Sequence, residues 1–270
     1  KGMVIKMKRV SYPTLYIRSL SLRLKSVMQY KLSFILTTIG QFLGSLTAFL
    51  GIHFMFQRFD SIEGYSYSES LLCFASILMA FSLAECFARG LDTFPTVISN
   101  GEFDRILLRP RSPLFLVLTS KFEFTRLGRL IQSVIVFCWA LPNSGVHFTP
   151  DKILCLVLMI AGGMLVFCGV FIIFAFLCFF TTDGLEFMNI LTDGMREYGK
   201  YPLAVYGRDI LLFTTFVVPF ALVQYYPFLY LIGRTDNMLY LLLPVLAGLF
   251  LIPCLILWHF GIRHYRSVGS

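Results

Sequence analysis

The sequence predicts an all-α integral membrane protein: six transmembrane helices, an N-terminal amphipathic helix in the membrane interface, and a short helix in a cytoplasmic loop. Composition and pattern both point there. Only 14% of the residues are charged and 57% are hydrophobic, whereas globular domains carry about 25% charged residues. The mean hydropathy is +0.76, and the apolar residues fall into runs long enough to cross a bilayer, which takes roughly 20 residues each. A chain of 270 residues with this composition has room for six such runs.

Residues 1–31 come first. On a helix, Tyr16, Ile17, Leu20, Leu24, Val27 and Met28 share one face, with Arg18, Lys25, Ser26 and Gln29 opposite. That is the pattern of a helix lying in the interface, and a groove on a partner protein fits it as well. The membrane domain runs over 32–260, with spans predicted at 32–56, 70–88, 130–148, 153–180, 210–232 and 238–260, followed by a tail at 261–270. The first span does not read as a cleaved signal peptide, because about 30 residues precede it and its apolar core is longer than a signal's.

Span one carries Gly40, Gly44, Ala48 and Gly51 at helical spacing, a stripe that admits another helix closely, within one subunit or between two. Gln41, one turn before Ser45, either faces a polar cavity or bonds to a neighbouring helix. His53 near the other end reads as a satisfied interface histidine. Span two ends near Glu85, a carboxylate in an apolar run and so a candidate pathway residue. Its i,i+4 spacing to Arg89 offers the plainer reading of a local ion pair. Span three has a short apolar core, "LIQSVIVFCWAL", whose start is fixed by Arg126 and Arg129, so it needs "PNSGVHF" to complete a crossing. Span four has 28 residues and must tilt or protrude. Pro219 and Pro227 in span five and Pro244 and Pro253 in span six each remove a helical hydrogen bond and favour a kink.

Lysines and arginines set the orientation. With a cytoplasmic N-terminus, 20 fall on the inner side (residues 1–31, 89–129, 181–209 and 261–270) and three, Arg58, Lys152 and Arg234, outside. Both termini are therefore expected to be cytoplasmic. Basic loops facing anionic lipid account for the net charge of +8 without any nucleic acid. The seven cysteines lie in apolar runs without CxxC spacing, and no metal site is expected.

The most charged passage is "SNGEFDRILLRPRSPL", Ser99 to Leu114. Ser99 followed by Glu102 reads as a capping box, and Pro110 stops the helix. Phe103, Ile106 and Leu107 form an apolar face beside Glu102, Arg105 and Arg109. A helix of about ten residues is marginal alone in water, so it must dock on something: its own protein, the bilayer or a partner.

The passages "FQRFDSIEGYSYSE", "NGEFDRILLRPRSPL", "YPLAVYGRDILLFTTFVVPFALVQYYP" and "GIRHYRSVGS" together resemble the permeases of type-2 ATP-binding-cassette exporters, in the branch of six-span bacterial permeases. The likeness covers most of the chain. Tyr65 stands where tryptophan is expected, and Arg111 where an uncharged residue is usual. The resemblance implies that Gly101, Glu102, Phe103, Asp104 and Arg105 form a coupling helix that contacts an ATPase, with an exposed Phe103 filling a pocket on it. It further implies two ATPase subunits that bind ATP and Mg²⁺, a second permease, identical or a sister subunit, and a place in the bacterial cytoplasmic membrane.

The chain has no GxxxxGK[ST] loop, since its single Gly-Lys pair, Gly199-Lys200, is followed by Tyr201. The expectation is therefore a transport subunit without an ATPase site or cofactor of its own. An intramembrane enzyme would need a Ser-His pair, paired aspartates or HExxH meeting at one depth, and none is present. A passive channel or a structural membrane protein is the remaining alternative.

Overall fold

The computed structural model describes residues 11–147, 149–181 and 187–267, and the backbone alone for 187–190. The start of the N-terminal segment, part of the loop after span four and the last tail residues, for which the sequence also carries expectations, lie outside the described residues. Among the described residues all regular elements are helical, apart from an isolated bridge between Ile62 and Tyr65. Five helical runs are long and apolar enough to cross a membrane, or six if a bent pair forms one span. The protein is an all-α membrane protein.

Helix α1 (Tyr12–Val27) starts with Pro13 in its first turn, where a missing N–H leaves no hydrogen bond unmade. Tyr16, Leu20 and Val27 pack against Cys86, Phe122 and Phe124. The Tyr16 hydroxyl donates to the Phe87 carbonyl at 3.2 Å. Ile17, Leu22 and Leu24 remain exposed. The apolar surface of α1 is thus divided between the protein and its surroundings. A short turn leads into α2 (Lys31–Arg58), of which only Ser45 and Ile52 are buried.

The centre of the bundle is α3 (Tyr67–Asp92). Its residues are apolar on all sides, the mark of a fully enclosed helix, and Ala75, Ala80, Ala84 and Ala88 let neighbours approach closely. It is buried along most of its length. A capping box starts it: the Ser66 N–H donates to Glu69 at 2.7 Å and the Glu69 N–H to Ser66 Oγ at 3.3 Å. The helix kinks at Ala88 (φ −122°, ψ 15°).

Three short helices follow, α4 (Phe94–Ser99), α5 (Glu102–Leu107) and α6 (Pro113–Leu118). They stand at the end of the bundle that also holds Arg89, Arg126 and Arg129, called here the basic end. Next come α7 (Leu127–Ala140) and α8 (Pro150–Leu177), both packed on α3. After α8 come α9 (Phe187–Tyr198), α10 (Arg208–Phe216), α11 (Ala221–Gln224) and α12 (Tyr226–Leu231). The last two, α13 (Leu239–Gly248) and α14 (Leu251–His264), line the other side of α8.

The structure departs from the expected spans in three places. Helix α7 begins before residue 130 and ends at Ala140 with a 3₁₀ turn over Leu141–Asn143, so the 20-residue apolar run Phe124–Asn143 takes in only the first two residues of "PNSGVHF". Arg126 and Arg129 are neutralised by Glu85 inside the bundle. Span five is broken between Phe216 and Ala221, and its halves meet at 95°. Pro219 lies in the break and cannot donate a hydrogen bond to continue the helix. Of the stretch 181–209, expected as a cytoplasmic loop, the described part from residue 187 onward runs from the basic end, where Asp193 lies beside Arg89, Arg126 and Arg129, into the bundle. Gly199 packs on Ile77, near the midpoint of α3, where a Cβ would lie 2.7 Å from the Ile77 side chain.

The end opposite the basic one is tied together by Arg234. Its guanidinium donates to the Gly64 carbonyl at 2.6 Å, pairs with Glu69 at 3.0 Å and lies 3.9 Å from the Tyr65 ring centroid. Tyr65 therefore supplies an aromatic face for a cation. His53 is satisfied there by the Tyr67 hydroxyl at 2.8 Å.

Candidate functional site

Two groups of polar residues stand out from the apolar bundle. The first is the short-helix surface at the basic end. Ser99 and Glu102 do not form a capping box. The chain turns between them, with the Gly101 N–H bonded to the Ile98 carbonyl at 3.0 Å and Gly101 at φ 65°, a left-handed conformation that favours glycine. The two residues thus fall on separate helices, and α5 has six residues instead of about ten.

Phe103 is 0% exposed, contrary to the expectation of an exposed anchor. Its ring is wedged between Phe94 (5.1 Å between centroids), Phe179 (5.4 Å), Trp258 (6.4 Å) and Tyr265 (5.0 Å). The alternation along α5 explains this, because Phe103 is the one bulky apolar residue of its first turn and a large aromatic cluster lies within reach. Asp104 accepts a hydrogen bond from Ser267 at 2.6 Å, which ties the tail to α5. Glu102, Arg105 and Arg109 point outward, and Leu108 is 86% exposed. Together with Leu22 and Arg23 of α1, the outward residues Glu102 and Arg105 of α5 and Arg109 just after it line a groove of about 460 Å³. Leu108 escaped the sequence reading, although its place at the end of a short amphipathic helix, just before Arg109-Pro110, was visible.

The second group surrounds Glu85, which is 3% exposed. The predicted partner Arg89 is present at 3.2 Å, but the same carboxylate also pairs with Arg129 at 2.7 Å and Arg126 at 3.4 Å. Arg126 in turn donates to the Gln41 side-chain oxygen at 2.6 Å, so Gln41 serves a neighbouring helix. Arg89 also pairs with Asp92. One carboxylate thus serves three guanidiniums from two helices, an arrangement that answers the cost of burying charge. These residues and Asp193 line a cavity of about 170 Å³.

Helix α9 brings a further set of charges beside this cluster. Arg196 pairs with Asp193 at 3.2 Å and Glu197 at 3.0 Å, and its guanidinium lies 5.4 Å from the Phe81 ring centroid. Lys200 pairs with Glu197. A larger cavity, about 370 Å³, lies between α2, α3, α7 and α9. Gly44 and Ala48 form part of its wall. A Cβ on Gly40, Gly44 or Gly51 would meet nothing within 4 Å. Among the described residues, no helix of this chain uses the glycine stripe for close approach. Among the described residues, no three His, Cys, Asp or Glu side chains are placed to hold a metal ion.

A family model described as ABC-2 family transporter protein matches residues 42–269. No curated protein and no solved structure matches the chain. The match spans α3 to α14 and most of α2, and so includes both polar groups and the bundle that carries them. The chain therefore belongs to the ABC-2 transporter family, as a membrane-spanning permease component of an ATP-binding-cassette transporter.

Proposed function

We propose that this permease is half of a dimeric, ATP-driven exporter of the bacterial cytoplasmic membrane, with both termini cytoplasmic and one ATPase subunit docked on the basic end of each permease. The partner binds ATP and Mg²⁺. The observation that carries this reading is the surface formed by Glu102, Arg105, Leu108 and Arg109 beside the α1 groove. An exposed leucine ringed by charges of both signs suits a protein interface, where the apolar group fills a pocket and the charges set orientation.

Phe103 then acts behind the interface. When ATP closes the ATPase pair, α5 is pushed, and Phe103 passes the displacement to Phe179 after α8 and to Trp258 on α14. Packed aromatic contacts transmit such a shift because a dense core cannot absorb it. The exposed α2, with its unfilled glycine stripe, provides a surface for the second permease.

Co-purification tests the assignment. The tagged chain, expressed in its native host, is expected to bring down an ATP-hydrolysing partner from detergent-solubilised membranes. Leu108→Asp and Arg105→Glu are expected to lose it, since truncating a central anchor costs roughly 2 kcal/mol or more. Full ATPase recovery with both variants would place the contact elsewhere.

A further inference from the structure

The larger cavity is lined by three cations, Arg129, Arg196 and Lys200, and a single carboxylate, Glu197. The carboxylate nearest Arg129, Glu85, lies behind it and is already shared with Arg89 and Arg126. The Nε atoms of Arg89 and Arg126 are buried without partners. Arg196 also pairs with Asp193. Across the two adjoining cavities five cations (Arg89, Arg126, Arg129, Arg196 and Lys200) meet four carboxylates (Glu85, Asp92, Asp193 and Glu197). One positive charge is therefore left over at the depth of Phe74 and Leu78 on α3, where an unbalanced cation is costly. Such a wall repels cations and attracts anions.

The shape narrows the class further. The lip of the cavity is formed by Gly44 and Thr47, which lie on the exposed face of α2 next to the exposed Leu43 and Leu50. Phe74 and Leu78 make an apolar wall. An anion entering here would have charged partners for its head and apolar surface for whatever follows.

We propose that this crevice binds the acidic headgroup, carboxylate or phosphate, of an amphiphile whose tail lies along the exposed face of α2. Lys200 and Arg196 hold the head, Arg129 closes it from the α7 side, and while the crevice is empty Glu197 pairs with Lys200 and shares Arg196 with Asp193. Reading the amphiphile as exported cargo rests on the exporter function proposed above. The binding site itself does not.

The test is a fluorescence titration of the purified, detergent-solubilised permease with dansylated undecanoate, competed by oleate, phosphatidylglycerol, methyl oleate and phosphatidylcholine. Saturable binding is expected, displaced by oleate or phosphatidylglycerol and not by the two competitors without net charge. Lys200→Gln is expected to weaken binding about tenfold, the loss of one charge-assisted contact, and Lys200→Arg to retain it. Glu197→Gln is expected to tighten binding several-fold, a gain that misfolding cannot mimic. Displacement by oleate alone points to a carboxylate cargo and displacement by phosphatidylglycerol to a bilayer lipid, and each supports the site. Equal displacement by methyl oleate, or weaker binding in Glu197→Gln, overturns it. The titration needs no ATPase, so a failure to recover the ATPase would sink the exporter reading and leave this result standing.

Discussion

Phe103 and Glu85 show how far individual residues can be read from the chain. The i,i+4 spacing of Glu85 and Arg89 gives their 3.2 Å pair directly. Arg126 and Arg129 reach the same carboxylate from another helix, more than 40 positions away, and no local periodicity signals that. Phe103 was recognisable as important, but its direction was not: whether an aromatic in a short charged helix faces outward depends on the aromatic cluster built from α4, α14 and the ends of α8 and the chain. Its burial predicts a stability effect. Phe103→Ala is expected to lower the stability of the permease without any ATPase by about 3–5 kcal/mol, the range for deleting a buried phenylalanine. Leu108→Ala, at an exposed position, is expected to change it by less than about 0.5 kcal/mol. Thermal unfolding in detergent measures both, and equal melting temperatures for Phe103→Ala and the wild type would mean that the ring is not part of the core.

At the scale of elements, the long apolar helices were legible because an uninterrupted apolar run has few alternatives to crossing a bilayer. The segment between Phe187 and Tyr206 was not, and span five was located but not its sharp break. Helix α9 has the composition of a loop, and its placement beside α3 depends on Gly199 meeting Ile77 and on charges pairing among themselves. The break in span five was foreshadowed by Pro219, but a 95° bend is far more than proline alone imposes. Helix α1 gives a sharper test. Its amphipathic face divides, with Leu20 packed on the protein and Leu24 exposed. Leu20→Glu is expected to lower the melting temperature of the solubilised protein, because it places a charge against Phe122 and Phe124 and removes about 2 kcal/mol of burial. Leu24→Glu is expected to leave that temperature unchanged and to weaken only the contact of α1 with its surroundings. The same shift from both variants would mean that α1 docks by a different face.

For the molecule as a whole, the proposed orientation rests on the charge count. Arg196 and Lys200 drop out of the cytoplasmic tally because α9 stands inside the bundle, yet the remaining inner cations still far outnumber Arg58, Lys152 and Arg234. In a background where the exposed Cys138 is replaced by serine, cysteines at Ser61 and Asp236 are expected to react with a membrane-impermeant thiol reagent in intact cells. One at Ser112 should react only after the membrane is opened. Labelling at Ser112 from outside would invert the topology and place the Leu108 surface away from any cytoplasmic ATPase.

The charges of α9 also bear on how the chain is made. A helix with Asp193, Arg196, Glu197 and the neighbouring Lys200 cannot leave the translocon for bare lipid, where each charge at the centre of a span costs about 2.5–3.5 kcal/mol. Its berth is formed by α3 and α8, with α2 and α7 across the cavity, and all four precede it on the ribosome. The receiving helices are therefore synthesised before the charged one emerges, so the chain order itself lets α9 find paired charges and a packed site instead of bare lipid.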